Sequence, residues 1–192
     1  MMVMVCMVQA QPEAETGRGT GSGRSLRSCP IGEAIAKKYP EQVVLVTSVG
    51  TNSRPNIITV GWTMFCSAEP PMVAIAIGKT RHSHSLIMET KEFVLAFPGE
   101  DLEQAVLFCG TRSGRDTDKF KETGLTARPA SRVRPPLIEE CLANFECTVE
   151  HAYDSGSHTI FVGRIVAAWV SEGGADRKRL FNLGRRKFAG LP

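Results

Sequence analysis

Residues 43–62 read VVLVTSVGTNSRPNIITVGW, and this stretch predicts two neighbouring β-strands. Val43 to Val49 and Asn56 to Trp62 are both rich in β-branched residues, which favour the extended strand conformation. Gly50 and Asn52 lie between the two runs and are typical turn residues. The sequence therefore predicts a β-hairpin with strands at 43–49 and 56–62.

The rest of the chain predicts more strands with a few short helices between them. The apolar run from Met72 to Ile77 follows Pro70-Pro71 and ends at Gly78, which predicts a third strand, buried on both faces. Further patterns predict strands at 92–97, 142–152 and 158–170, helices at 83–89, 100–108 and 114–123, and a proline-broken connector at 128–136. Grouped antiparallel strands favour an α+β, mostly β barrel over alternating βαβ units.

The composition indicates one ordinary domain with a polar segment ahead of it. A hydrophobic content of 42% allows a sizeable core. Residues 9–28 are rich in Gly, Ser, Thr and charge, and such a segment buries too little apolar surface to offset its ordering entropy. Residues 1–28 are therefore predicted to be a disordered leader, and residues 29–192 the folded domain.

Charge and cysteine content limit the classes of partner and site. The formal net charge of +3 is too small to indicate nucleic-acid binding by itself. Residues 173–192 hold six Lys or Arg against one acid, which indicates either a solvated surface or an anion-binding role. The cysteines form no CxxC pair, so no zinc site is predicted. Cys141 and Cys147 are expected to face the same side of one strand, as free thiols of a cytoplasmic protein.

Two segments next to buried strands are candidate binding sites. Thr59 to Thr63 ends a strand in Gly, Trp and a hydroxyl residue, which suits a flat polar heterocycle, although a core strand packed around Trp62 fits equally well. Thr80 to Ser85 stands directly before a helix, whose first amides are free to bind an anion. Arg81 would add charge-assisted hydrogen bonds to a phosphate, and a simple helix cap is the alternative interpretation.

Two other side chains are suited to a ligand. Lys119 is predicted near a helix start, against the helix dipole, so it is either paired with a neighbouring aspartate or left for a ligand. His158 shares the strand face of Ile160 rather than that of Thr159. It is either a hydrogen-bonded histidine at the end of a barrel or a polar contact to a bound cofactor.

The motifs in their order along the chain resemble one known family. They are Val44-Leu45-Val46-Thr47, Asn56-Ile57-Ile58-Thr59 with Trp62, Pro70-Pro71, Arg81 with Ser83, Asp118-Lys119-Phe120, and Gly156-Ser157-His158 leading to Phe161-Val162-Gly163. Over Ile31 to Phe188 the chain is similar to the flavin reductase-like family of FMN-binding split barrels, and in particular to its flavoredoxin branch.

The resemblance implies a six-stranded antiparallel Greek-key split barrel with short peripheral helices. It also implies a homodimer with FMN in a groove near the subunit interface. By position in the motifs, Arg81 and Ser83 should hold the phosphate, and Asn56 and Trp62 should lie along the ribityl chain and the isoalloxazine. The full implied set is Asn56, Thr59, Val60, Gly61, Trp62, Thr63, Ser67, Arg81, Ser83, Lys119, His158 and Phe188, with Phe181 as an alternative to Phe188 for an aromatic over the ring.

The activity that the resemblance implies is that of an FMN-dependent oxidoreductase or electron carrier, of flavin reductase or flavoredoxin type. The flavin performs the chemistry, and no catalytic acid or base is needed. NAD(P)H or a redox protein is the implied electron donor, and neither nucleic acid nor a membrane is expected as a partner. The alternative is a non-catalytic flavin- or haem-binding split-barrel module. A nucleic-acid-binding barrel is disfavoured, because few exposed aromatics are available for base stacking.

Overall fold

Antiparallel strands dominate the computed structural model, which describes residues 25–172 and 177–191. The strands are β1 (Glu41–Gln42), β2 (Val44–Val49), β3 (Pro55–Val60), β4 (Thr63–Ala68), β5 (Pro71–Gly78), β6 (Glu92–Phe97), β7 (Ala127–Arg128), β8 (Leu137–Ile138), β9 (Ala143–Ser155), β10 (His158–Val170), β11 (Arg179–Gly184) and β12 (Lys187–Leu191). The α-helices are α1 (Ile31–Ile35), α2 (His82–Thr90), α3 (Glu103–Thr111) and α4 (Lys119–Thr123), with 3-10 turns at Ala36–Lys38 and Glu100–Leu102. The predicted leader, apart from its last four residues, lies outside the described part of the chain.

One seven-stranded sheet forms the body of the domain, in the order β3-β2-β6-β9-β10-β5-β4. Every pair in it is antiparallel. The predicted hairpin of β2 and β3 is present, and the mostly β, α+β fold class is confirmed. The predicted number of six strands is wrong by one. The additional strand is β4, whose mixed sequence TMFCSA has no clear alternation of apolar and polar residues.

The sheet encloses an apolar interior. Val60 on edge strand β3 and Val73 on β5 belong to one buried cluster, although the two strands lie far apart in the strand order. The sheet must therefore curl so that its two ends face each other, as in a barrel. Ile87 of α2 belongs to the same cluster and is fully buried, so α2 closes one end of the barrel.

A second core lies outside the barrel, under the helices. Leu45 of β2 and Ile57 of β3 pack there against Val106 of α3 and Phe120 of α4. Since the alternate residues of β2 point into the barrel, this strand is buried on both faces. That double burial explains its nearly continuous apolar run.

The cysteines do not share one face as predicted. Cys141 comes before β9, which starts at Ala143, and packs in the outer core. Cys147 packs in the barrel interior. The prediction was wrong because it counted Cys141 as part of β9, whereas the chain still turns at this residue and the strand begins at Ala143.

The proline-broken connector is anchored by a buried carboxylate. Glu146 of β9 accepts hydrogen bonds from the backbone amides of Ser131, Arg132 and Val133 and from Nε1 of Trp169. Burial by itself raises the pKa of Glu146, but these hydrogen bonds lower it below the ordinary value. The connector is thus held by an ionised group within the sheet.

The basic C-terminal segment forms a hairpin that the sequence did not predict. Strands β11 and β12 pair with each other, and β1 pairs with β11. Arg185 and Arg186 form the turn, with φ values of 51° and 61°. Positive φ at both central residues is what a type I′ turn requires, and glycine or asparagine normally supplies it. No described helix is long and apolar enough to cross a membrane.

Candidate functional site

Strand β5 and helix α2 bring Arg81 and His158 together. Gly78 at the end of β5 pairs with His158 at the start of β10. The chain then turns, with the amide of Arg81 donating to the carbonyl of Gly78 at 2.9 Å. A Cβ at Gly78 would lie 3.5 Å from Cγ of Arg81 and 3.6 Å from Nε2 of His158. The two side chains therefore flank the same point, directly before the first turn of α2.

A buried polar pair lies beside that first turn. Asn56 of β3 and Ser83 of α2 are 4% and 2% exposed, and Nδ2 of Asn56 donates to Oγ of Ser83 at 2.7 Å. Oδ1 of Asn56 has no hydrogen-bond partner among the described residues. The backbone of Gly114 is so close that a Cβ there would lie 1.9 Å from this oxygen. A buried acceptor without a donor is costly, so the site suits a ligand that carries a hydroxyl or amide group.

Lys119 lies under this pair and is only 3% exposed. Its Nζ donates to the carbonyl of Ile57 at 2.7 Å and to that of Cys109 at 2.8 Å, which ties β3 to α3. Of the two alternatives for Lys119, the pairing with an aspartate is therefore wrong, and the neighbouring Asp118 instead caps α4 by accepting from the amide of Lys121. Burial lowers the pKa of Lys119 to about 8, and the positive charge of Arg81 adds to the effect. We call Asn56, Arg81, Ser83, Gly114 and Lys119 the anion cradle.

Positive charge is in excess around the anion cradle, although the carboxylate of Asp116 lies close enough to His82 to raise its pKa. Arg54, Arg81 and Arg115 form no ion pair within the described residues. Burial and then the charges of Arg115 and Arg54 lower the pKa of His82, which is therefore neutral at neutral pH. A phosphate dianion would offset this excess of positive charge.

Trp62 and His158 form an aromatic pair next to the anion cradle. Their ring centres lie 4.9 Å apart at an angle of 40°, and the indole is 50% exposed. Nδ1 of His158 is hydrogen-bonded to Oγ of Ser157 at 2.8 Å. Burial, and secondly the charge of Arg81, lowers the pKa of His158. A neutral imidazole against a half-exposed indole offers an aromatic surface to a planar heterocycle. We call these two residues the ring pair.

The end of β3 and the start of β4 have few side chains that are free to bind a ligand. Oγ1 of Thr59 donates to the carbonyl of Val106 in α3 at 2.6 Å, and the side chain of Val60 is buried in the barrel. Gly61 has no side chain, and Thr63 begins β4. Val60 and Gly61 thus have only backbone groups to offer a ligand near Trp62, and contact of all four with a flavin stays a prediction.

Ser67 and Phe188 are not brought to the same place. Ser67 pairs with Met72, six residues before Gly78 and thus about 20 Å away along β5. Phe188 packs against the outer core under α3. The alternative residue, Phe181, lies with its ring centre 5.5 Å from the guanidinium of Arg179. A contact of any of these with a flavin stays a prediction.

Sequence reasoning missed Arg54 at the anion cradle, and it gave His82, Gly114 and Arg115 no binding role, although they lie in the candidate segment 80–85 and at the start of the helix predicted at 114–123. Arg54 lies in the loop before β3, His82 begins α2, and Gly114 and Arg115 lie in the loop before α4, so no spacing along the chain relates them. For Gly114 the one available signal was a glycine within a polar loop, which is common in turns. The close approach of Gly114 to Asn56 follows only from the packing of its loop against β3.

Comparison with known proteins agrees with the expected family. Residues 36–191 match the flavin reductase like domain. The chain is 40% identical over 128 residues to a protein of Archaeoglobus fulgidus, covering 67% of this chain and 71% of the other. It is 30% identical to the NADH-dependent FAD reductase of Streptomyces globisporus, covering 79% and 81%.

Two solved structures share the architecture. The FMN-binding protein of Thermus thermophilus superposes with a TM-score of 0.75 at 25% identity, covering 89% of this chain and 96% of that one. Flavoredoxin of Desulfovibrio vulgaris superposes with a TM-score of 0.74 at 24% identity, covering 91% and 93%. Given the domain match over most of its length, the chain belongs to the flavin reductase-like family.

Proposed function

We propose that this flavin-related protein binds FMN and works as an oxidoreductase that receives electrons from a nicotinamide nucleotide. The observation that carries the proposal is the anion cradle, rich in unpaired positive charge, next to the exposed ring pair. A flavin mononucleotide has a phosphate at one end and a planar ring at the other. The site offers a matching surface for each.

The residues present fit such a molecule in three places. Arg81 and the first amides of α2 would hold the phosphate, since α2 is long enough for its N-terminus to attract an anion. A ribityl hydroxyl would donate to Oδ1 of Asn56, which otherwise lacks a donor. Trp62 and His158 would cover part of the ring.

FMN is favoured over FAD because the cradle is closed on one side. Asn56 and Ser83 are buried, and Gly114 leaves no room for a side chain. A terminal phosphate fits such an end, whereas the diphosphate of FAD must continue outwards. The Thermus thermophilus relative is described as FMN-binding, while the Streptomyces globisporus relative reduces FAD.

The chain itself would bind and orient rather than transfer protons. When bound, the flavin would supply the redox chemistry, which is uptake of a hydride from the nicotinamide nucleotide and delivery of its two electrons to an acceptor. Lys119 fixes β3 against α3 and so keeps Asn56 in place. His158, being neutral, presents an uncharged face to the ring.

The proposal includes a homodimer built on the exposed face of β4. Phe65 is exposed there, and together with Pro71 it lines an apolar groove of about 770 Å³. Val170 at the end of β10 is also exposed. Contiguous exposed apolar surface on a sheet is typical of an interface between protein chains.

An anaerobic titration tests the proposed function. The purified protein is first titrated with FMN and with FAD, following flavin fluorescence, and the flavin-loaded protein is then titrated with NADH and NADPH. We expect FMN to bind more tightly than FAD, and the flavin absorbance to bleach with a nicotinamide nucleotide. Arg81→Gln should weaken FMN binding, whereas Arg132→Gln, which removes an exposed cation elsewhere, should not.

Two results would contradict the proposal in different ways. Absence of flavin binding would exclude the site altogether. Tight binding of FMN without bleaching by either nucleotide would favour the non-catalytic alternative, or a carrier that is reduced by another protein.

A further inference from the structure

A second pocket lies between the segment after α1 and the turn of the β11–β12 hairpin. Its volume is about 470 Å³. Its lining includes the cations Lys37, Arg185 and Lys187, the acid Glu33, and the side chains of Tyr39 and Leu183. We call it the hairpin pocket. Nothing in the proposed flavin site makes use of it.

The rim of the hairpin pocket is cationic. Lys37, Arg185 and Lys187 are exposed and form no ion pair within the described part of the chain. The acid in the lining, Glu33, is paired with Arg27. Three cations around one concave surface, with the neighbouring acid already neutralised, favour a ligand with more than one negative charge.

Part of the lining is apolar and aromatic. Tyr39 is half-buried, and its ring lies against Gly184, where a Cβ would be 2.9 Å from Cδ2 of the tyrosine. Leu183 and Ala36 complete this part of the lining, the aromatic wall. An aromatic wall together with a cationic rim suits a flat base that carries phosphates, which is the chemistry of a nucleotide.

The hairpin pocket is next to the ring pair. Nζ of Lys38 lies 5.2 Å from the ring centre of Tyr39 and 5.6 Å from that of Trp62, so one side chain bridges the two aromatic groups. A ligand in the hairpin pocket can therefore extend past Lys38 towards a ring bound at Trp62. The anion cradle lies beyond the ring pair and is a separate anion site.

We propose that the hairpin pocket binds the phosphorylated adenosine of the nicotinamide nucleotide that reduces the flavin. Tyr39 would pack against the adenine, and Arg185 and Lys187 would bind the 2′-phosphate, so that NADPH is preferred to NADH. This inference rests on the proposed function, because it assigns the donor of the same site. It differs from the Streptomyces globisporus relative, which is described as NADH-dependent.

Binding without turnover is the first test. The FMN-loaded protein is titrated calorimetrically with adenosine 2′,5′-bisphosphate and with 5′-AMP. We expect the bisphosphate to bind more tightly, and the double variant Arg185→Gln/Lys187→Gln to lose about tenfold or more of that affinity, since charge-assisted hydrogen bonds are removed. A matched double variant, Lys91→Gln/Arg132→Gln, removes two exposed cations outside the pocket and should bind as the wild type does.

Tyr39→Ala separates the aromatic wall from the charges. It should weaken the binding of both adenosine phosphates alike, while the cation variant weakens the bisphosphate more. In steady-state assays, the cation variant should raise the KM for NADPH about tenfold and leave the KM for NADH nearly unchanged.

The outcomes distinguish this inference from the proposed function. Equal KM values for NADH and NADPH, together with no measurable binding of the bisphosphate, would overturn the inference while flavin reduction still holds. In that case the basic residues of the hairpin would instead bind an acidic protein partner. Binding that the cation variant does not weaken would overturn it as well. Binding of the bisphosphate that the cation variant abolishes, without any flavin reduction, would retain the pocket and reject the proposed function.

Discussion

Lys119 is a buried cation held by two carbonyl oxygens rather than by a carboxylate. Its pKa of about 8 in the folded chain lies below the ordinary value of 10.5, so the unfolded chain binds more protons between these values. The free energy of unfolding should therefore rise as the pH increases from about 8 to about 10.5, by about 3 kcal/mol. Urea denaturation across this range measures the effect.

A second lysine of α4, Lys121, provides a matched control for this pH dependence. Lys119→Met should remove this rise with pH, whereas Lys121→Met, on the exposed side of α4, should keep it. An equal slope in the wild type and in Lys119→Met would show that the cation is not the cause.

Gly114 gives a second test at the level of single residues. A methyl group at this position would collide with Oδ1 of Asn56. We expect Gly114→Ala to displace the asparagine and to raise the Kd for FMN about tenfold, measured by fluorescence titration. Gly32→Ala is the control, since a Cβ there meets no atom within 4 Å, and it should leave the Kd unchanged. Unchanged FMN binding in Gly114→Ala would remove Asn56 from the site.

Sequence reasoning selected site residues well where strands and helices end, and less well elsewhere. Asn56, Arg81, Ser83 and His158 do come together, because each stands at or near the end of an element that reaches the same side of the barrel. Ser67 does not join them. Alternation along a strand tells which face a side chain takes, but it does not tell which end of the strand carries the site.

The turn between β11 and β12 contains non-glycine residues with a positive φ. Arg186 adopts a φ of 61°, which strains a residue with a side chain. Arg186→Gly should therefore raise the free energy of unfolding by about 1 kcal/mol. Arg112, with a φ of −106°, is the control, and Arg112→Gly should lower it by about 0.5 kcal/mol. A loss of stability in Arg186→Gly would contradict the assigned strain.

The connector between β7 and β8, which Glu146 of β9 anchors, gives another test. Glu146→Gln replaces an acceptor of several hydrogen bonds by an amide that must turn an N–H towards donors, so it should cost about 2 kcal/mol. Because the pKa of Glu146 is lowered, its contribution is present above pH 4.5 and is lost as the pH falls further. The variant should therefore be less sensitive to acid than the wild type.

Thermal unfolding at neutral and at acidic pH, followed by circular dichroism, checks this expectation. Glu150→Gln is the control, because its partly exposed carboxylate pairs with Arg164 at the surface. Equal losses of stability in the two variants would contradict a special role for Glu146.

The sequence patterns predicted most strands of the large sheet and missed β4 and the C-terminal hairpin. The strands predicted at 92–97 and 158–170 coincide with β6 and β10. Strands β4, β11 and β12 were missed, because their sequences do not clearly alternate apolar and polar residues. The helix predicted at 114–123 shrinks to α4, since the loop before it is occupied by its approach to Asn56.

The whole molecule is expected to be a dimer through β4. Phe65→Glu places a charge on an apolar side chain that is 56% exposed and should convert a dimer into a monomer. Sedimentation velocity measures the change. Met88→Glu alters an exposed apolar residue of α2 instead and should leave the dimer intact. A wild type that sediments as a monomer would reject the proposed interface.

Helix α2 closes the barrel with Ile87 and presents Arg81 and Ser83 at its other end. A ligand bound at that end must therefore be released before α2 can detach from the barrel. A ligand at a concentration of 100 times its Kd raises the free energy of unfolding by about 2.7 kcal/mol. The melting temperature therefore reports whether a ligand binds. A melting-temperature screen of a nucleotide library would thus identify the natural occupant without labels, and without knowledge of the reaction.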